Sequence, residues 1–477
     1  MTPRSRPARL VAPLLLAGLA ACSTGAPTAQ TVPAYDVAPA GNARPSSAAA
    51  VRAQATMLPC PTTNIAPDPK RPVLTAAVSF GSDGIVSGTQ RVVFTPDLAT
   101  GQIYFRLWAA GPKPRAAGGS IVVSKAVVNG RARTMERPSP TVLRIPLVGK
   151  TPAGTAVTID LTWRMKLPTG INDRFGRRGE TQWFGSGMPL LNWERRKGWA
   201  LERETSSFAE SSTSEAMQLA SLSVTRAQGL GVLSTGAPVS DNGTTAVFKA
   251  RSVRDVAVAV GRFSTRTVMV DSMPVVVGVA PGVSDSAATV ANELARSIKV
   301  HRTRFGPFPY ERLAAAVVPD LTGGIEYPGM ILLGKGQAQD ATASHEVAHE
   351  WFYGLVGNNQ GRDPWLDESF GTYAEGLDRG TLGSYERTTI PADGRNRVGA
   401  PMTYWEGRSS YYRSVYVQGA AALAKARRAV GAAAFDKAIG CHVRRNAHRI
   451  TTPADLAASL RHLPAAVAEL KKVGALP

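Results

Sequence analysis

The stretch His345-Glu346-Val347-Ala348-His349 constrains the fold of this chain more than any other. Residues four apart on a helix lie one above the other, so a helix here aims two imidazoles from one face. Two histidines so placed can hold one metal ion, and the glutamate between them is free to take a proton from water. The five-residue pattern also arises on ordinary helices with solvated histidines, so further residues decide. Glu368 stands nineteen positions after His349, within Trp365-Leu366-Asp367-Glu368-Ser369-Phe370. Two His and one Glu leave the fourth tetrahedral position of a zinc ion for water, which is the catalytic arrangement.

The strings HEVAHEWF and WLDESF resemble those of the aminopeptidase N-type gluzincins, zinc metallopeptidases with the pattern HExxH-x18-E and WLNEGF around the last ligand. The longer run HEWFYGLVGNN…PWLDESFGTYAE is similar to a bacterial branch of that family. Upstream, Gly323-Gly324-Ile325-Glu326-Tyr327 resembles the family's GAMEN or GGMEN motif, whose glutamate binds the free α-amine of the substrate. A carboxylate beside the metal would hold an ammonium and fix its distance to the first peptide bond. Downstream, Tyr416-Val417-Gln418-Gly419 is similar to the family's YxKG, with Gln418 where Lys is usual.

The resemblance implies one zinc ion per chain on His345, His349 and Glu368, with Glu346 as general base. It implies Tyr416 on the reacting carbonyl oxygen, and Gly323, Gly324 and Glu326 as substrate-binding residues. The implied activity is that of a zinc metalloaminopeptidase acting on peptides with a free N-terminus. Glu375 shares a helical face with Glu368. It reads either as a carboxylate behind a ligating imidazole or as a solvated surface acid. His301, His442, His448 and His462 read as surface residues, and Trp351, Phe352, Trp365 and Phe370 as packing of the ligand-bearing helices.

The first residues speak to compartment. Arg4, Arg6 and Arg9 precede an apolar run from Leu10 to Ala21, which is too short to span a bilayer. Residues 1–21 read as a signal peptide. Leu19-Ala20-Ala21-Cys22 resembles a bacterial lipobox, with an ordinary signal peptide as the plainer reading. The lipobox implies lipidation of Cys22 and an exported lipoprotein anchored in the membrane, facing the periplasm or the cell exterior. Residues 22–62, rich in Ala, Pro, Ser and Thr, read as a disordered tether. Cys60 and Cys441 are the other cysteines. They either pair in an oxidising compartment or remain two buried thiols.

The rest is expected to be an α+β multidomain chain. Residues 63–265 carry β-branched and aromatic runs at Val73–Phe80, Gln90–Phe94, Ile103–Trp108, Ile121–Val128, Val142–Leu147 and Val157–Leu167, broken by turn residues. They predict an all-β sandwich or saddle. Residues 266–477 predict a thermolysin-like mixed α/β peptidase domain. It holds strands at Pro274–Val279 and Leu313–Val318 and a helix over Ser284–Val300, capped by Ser284 or Asp285. The family's large C-terminal helical domain has no room before Pro477, so a short two-domain member is expected.

Charge excludes little. Lys and Arg number 55 against 35 Asp and Glu, a net +20. Such a balance suits anionic surfaces, and a genome biased toward Ala, Arg and Gly codons accounts for it equally well. No nucleic-acid motif accompanies it, and no nucleic-acid partner is expected. Two other functions stand beside the aminopeptidase. One is a zinc endopeptidase or other zinc hydrolase with an open cleft. The other is a catalytically inactive surface-binding module, which the presence of Glu346 and Tyr416 argues against.

Overall fold

A computed structural model describes residues 58–206, 214–337 and 341–477. The signal peptide, Cys22 and the tether up to residue 57 lie outside the described residues. The alternating runs fold as strands. Val73–Phe80 pairs antiparallel with Ile85–Phe94 and parallel with Met217–Thr225 at the centre of an eight-stranded sheet. Its residues are buried alternately, so one sheet face carries Leu74, Ala76, Val78 and Phe80 into a core and the other meets water. Two four-stranded sheets cover that core. Thr100–Arg106 and Val142–Thr151 contribute Ile103, Phe105, Leu143 and Ile145 from one of them.

The character of the sheet changes at Ser264. Five strands run in the order Ser264–Val270, Met273–Val279, Leu313–Val317, Met330–Leu333, Gly324–Tyr327. Met273–Val279, Leu313–Val317 and Met330–Leu333 are parallel, which buries both faces and explains their unbroken apolar character. Helix Ala287–Phe305 connects the first two, with Val290, Leu294 and Ile298 fully buried. Its cap is Ser286, whose hydroxyl accepts from the Thr289 N–H. The sequence points to Ser284 or Asp285 instead. Asp285 is engaged elsewhere, accepting from the Gly336 N–H at 2.9 Å. After the metal-motif helices, the chain ends in the helices Gly419–Val430, Ala432–Asn446, Pro453–Leu460 and Pro464–Lys472.

The two sheet systems share a small core of their own. Trp183, Leu233, Ala257 and Ala259 from the β region pack on Ala314, Ala316, Tyr327, Met330 and Leu332 of the mixed sheet. Tyr327 follows Glu326 directly, so this contact seats the strand that carries the GGIEY motif. The Tyr327 ring lies so close to Gly185 that a Cβ there would stand 1.8 Å from it.

The reading of residues 22–62 as tether needs a correction at its end, because residues 58–62 are fixed. Cys60 is joined to Cys441 by a disulfide with Cα atoms 5.1 Å apart. Arg444 donates to the Pro61 carbonyl at 2.8 Å, and the Ile65 N–H donates to the Arg444 carbonyl at 3.0 Å. Composition describes the segment as unable to form a core, yet a covalent bond and helix Ala432–Asn446 hold it. The disulfide closes a loop of 381 residues. Replacing Cys60 and Cys441 together by alanine is expected to cost about 2–5 kcal/mol of stability, read as a lower denaturant midpoint. An unchanged midpoint would show that the Arg444 contacts alone hold the strap.

Candidate active site

The metal motif lies on a short helix, Thr342–Ala348, and His349 forms its C-cap. The helical turn continues through the His349 N–H, which donates to the His345 carbonyl at 3.3 Å. Glu368 comes from the first turn of helix Trp365–Arg379. Trp351, Phe352, Trp365 and Phe370 pack these two segments into one apolar core, and the rings of Phe352 and Phe370 stack at 4.4 Å. The helices approach closely because residue 371 is glycine. A Cβ there would stand 2.9 Å from His345 Nε2 and 3.1 Å from His349 Nε2.

The two Nε2 atoms are 2.9 Å apart, and they lie 3.2 and 3.4 Å from Glu368 Oε2. Ligands about 2.0–2.1 Å from a tetrahedral zinc ion stand about 3.3 Å from one another, so the three atoms fit three corners of such a site. The other nitrogens face outward partners. His345 Nδ1 lies 3.2 Å from Glu375 Oε2, and His349 Nδ1 lies 3.0 Å from the Phe352 carbonyl. These contacts orient both rings with Nε2 inward, the usual support for a ligating imidazole. Tyr385 holds the second oxygen of Glu375 by donating its hydroxyl.

Glu346 is 4% exposed, and its Oε2 is buried without a hydrogen-bond partner among the described residues. Burial pushes its carboxyl up to about 8, helped by Glu326 and Glu368 and opposed by His345 and His349. A divalent cation at the three ligands would lower it again. Burial also works against ionisation of Glu368. The hydrogen bonds to His345 and His349 outweigh it and hold that carboxyl down to about 2. Gly324 makes room for the base, since a Cβ there would stand 2.4 Å from Glu346 Cγ.

Glu326 reaches the same place from the edge strand Gly324–Tyr327. Ligand atoms of Glu326, Glu346 and His349 lie within 4.8 Å of one another. Gln360 donates to both Glu326, at 3.1 Å, and Asp367, at 2.9 Å. The strand is bonded on one side to Met330–Leu333 and closes the five-stranded sheet. Gly323 precedes it with φ +87°, a value that favours glycine.

Tyr416 lies on a wide π-helical turn, Tyr412–Gln418, of the kind that often marks functional sites. Its ring stacks on His345 with centroids 5.8 Å apart. Ser369, next to Glu368, donates to the Val415 carbonyl at 2.6 Å and ties this turn to the ligand helix. Gly419 permits the approach, because a Cβ there would overlap Ser369 Oγ at 1.9 Å.

The metal-motif residues, Glu326 and Tyr416 line one cleft of about 390 Å³. Of the sequence-predicted residues, Gly323, Gly324, Glu326, His345, Glu346, His349, Glu368, Glu375 and Tyr416 meet there. The structure adds residues that sequence reasoning missed. Lys113 and Asn172–Arg174 reach the cleft from the β region, and the Thr322 N–H donates to Asn172 Oδ1 at 3.0 Å. Nothing local in the sequence marks them. Gln360 does follow the GNN run of the motif string. Glu350 is buried, its carboxylate accepting from the Gly329 N–H at 2.8 Å. His301 and His442 are buried and not on the surface. His301 Nε2 lies 3.0 Å from Ser344 Oγ, and His442 Nδ1 lies 2.9 Å from Ser459 Oγ.

The chain is similar to known proteins in sequence over one segment and in fold over most of its length. Residues 291–475 match the peptidase family M1 domain. A solved M1 zinc metallopeptidase from Deinococcus radiodurans shares the fold with a TM-score of 0.63 at 19% identity, over 85% of this chain and 92% of that one. A mutant of a Deinococcus radiodurans M1 zinc metallopeptidase, solved with a Tyr-Ser-Ala substrate, aligns with a TM-score of 0.64 at 18% identity, over 84% of this chain and 93% of that one. A two-domain M1 zinc metallopeptidase mutant bound to L-arginine gives a TM-score of 0.62 at 18% identity, over 87% and 96%. Over residues 291–475, which carry the metal motif, the chain is similar to the peptidase family M1 domain.

Proposed function

We propose that the protein is a zinc aminopeptidase that removes N-terminal residues from peptides, with the residues of the cleft in the following roles. The observation that carries the reading is the position of Glu326, a buried carboxylate within ligand reach of Glu346 and His349. A substrate ammonium held there has its first peptide bond beside the metal ligands, and a longer N-terminal extension would meet the Glu326 strand.

The neighbouring chain groups complete the chemistry. His345, His349 and Glu368 hold the metal. A zinc ion there supplies Lewis-acid polarisation of the scissile carbonyl and acidifies water. Glu346 takes a proton from the attacking water and returns it to the leaving amine as the C–N bond breaks. The Tyr416 hydroxyl donates to the carbonyl oxygen as negative charge develops, a contact typically worth about 2.7–4 kcal/mol. The free edge of Gly323–Ile325 offers backbone groups to an extended peptide. Gln360 fixes the Glu326 carboxylate by donating to it, so little side-chain freedom is lost when the amine arrives.

A charge-assisted contact to an ammonium is worth roughly 1.5–3 kcal/mol. Glu326→Ala should therefore lower kcat/KM on free-amine arylamides about tenfold to a hundredfold while zinc content stays unchanged. N-acetylated peptides should be poor substrates of both proteins. Equal cleavage of blocked and free peptides by wild type, with Glu326→Ala unaffected, would leave a zinc hydrolase without exopeptidase character.

The protein is further proposed to be an exported lipoprotein anchored through Cys22. The support is the basic, then apolar, N-terminal run ending in Leu19–Cys22 and the Cys60–Cys441 disulfide, which fits an oxidising compartment. Among the described residues no helix is long and apolar enough to cross a membrane. Mass spectrometry of the protein from its native membranes should find a diacylglyceryl-modified Cys22 at the N-terminus. An unmodified Cys22, or a start elsewhere, would overturn the anchor.

A further inference from the structure

A second cavity, of about 490 Å³, lies where the N-terminal strap, the β region and the mixed sheet meet. Its wall includes Lys249, Arg251, Tyr310, Arg312 and His448, and its one described acid is the exposed Glu311. Pro328 and Gly329 also line it. They form the turn between Gly324–Tyr327 and Met330–Leu333, so the hairpin that carries Glu326 has its far end here.

Arg312 is the unusual member. It is 7% exposed, and its Nε is buried with no hydrogen-bond partner among the described residues. No described carboxylate pairs with it, and its guanidinium carbon lies 5.9 Å from the Phe248 ring centroid. Burial alone draws its pKa down to about 10. Tyr310 in the same wall has a buried hydroxyl that likewise lacks a partner. A buried cation without a counter-charge is costly, and folded proteins keep such groups where a ligand completes them. The surroundings add positive potential. His448, held 2.9 Å from Ser252 Oγ, is pushed down to about 4 by burial and by Arg254, Arg71 and Arg251.

We propose that this cavity binds a small free oxyanion, a carboxylate or phosphate compound, through the Arg312 guanidinium. Arg251 and Lys249 stand exposed at the wall and draw the anion in. The planar guanidinium fork suits two oxygens of one carboxylate or phosphate. The site is separate from the zinc chemistry and does not depend on it.

The test is calorimetric titration of the zinc-loaded enzyme with inorganic phosphate and, separately, with succinate. Wild type should bind at least one of them with one-to-one stoichiometry beyond anything left in Arg312→Met, and the preferred probe identifies a phosphate or a carboxylate ligand. Arg312→Met should weaken that binding about tenfold to a hundredfold. Because Met removes an unpaired buried charge, this variant should melt no lower than wild type without anion and gain nothing when anion is added. Arg251→Ala, exposed and without risk to folding, should weaken binding several-fold and decides the matter if Arg312→Met does not fold. Binding of neither probe, or affinities unchanged in the variants that fold, would overturn the site.

Discussion

The structure depends on a concentration of buried carboxyl groups around two imidazoles. Glu326, Glu346, Glu350, Asp367 and Glu368 are each less than 10% exposed, and burying one carboxylate alone costs several kcal/mol. Polar contacts cover part of that cost: Gly329 N–H to Glu350, and Gln360 to Glu326 and Asp367. Glu346 Oε2 has no such partner among the described residues. A divalent cation held by His345, His349 and Glu368 would favour the ionised carboxylates around it, lower the Glu346 carboxyl and supply the acidity that lets water be deprotonated.

The rest of the fold brings four segments together at that cluster. The apolar core under Trp351, Phe352, Trp365 and Phe370 sets the two ligand helices against each other. Gly371 lets them close, Gly324 lets the edge strand pass beside Glu346, and Gly419 lets the turn of Tyr416 reach Ser369. The shared core around Tyr327 fixes the strand of Glu326 from the β region. The β region thus supplies part of the cleft wall, where Asn172 accepts from the Thr322 N–H.

Much of this was legible because it is local. The i, i+4 histidines and Glu368 depend on helical spacing, and the alternation in Val73–Phe80 depends on strand geometry. Helical spacing put Glu375 on the face of Glu368 but left open whether it backs an imidazole or meets solvent, and the packing of the two helices sets it against His345. What was not legible depends on long-range packing. Cys60 and Cys441 are 381 residues apart, and nothing near either one foretells the other. His301 and His442 stand among arginines in the sequence, yet their helices turn them inward to Ser344 and Ser459. Asn172–Arg174 is an ordinary turn until the β region is laid against the mixed sheet. The cap falls at Ser286, two residues past Ser284 and one past Asp285, because Asp285 bonds Gly336, a partner far along the chain.

The central claim is that the buried triad holds a catalytic zinc ion with one open position. X-ray absorption at the zinc edge of the purified protein tests it most directly. The account predicts one zinc per chain with four light N/O neighbours at about 2.0–2.1 Å, two of them showing imidazole scattering. Sulfur at about 2.3 Å, or a scattering pattern without two imidazoles, would contradict it.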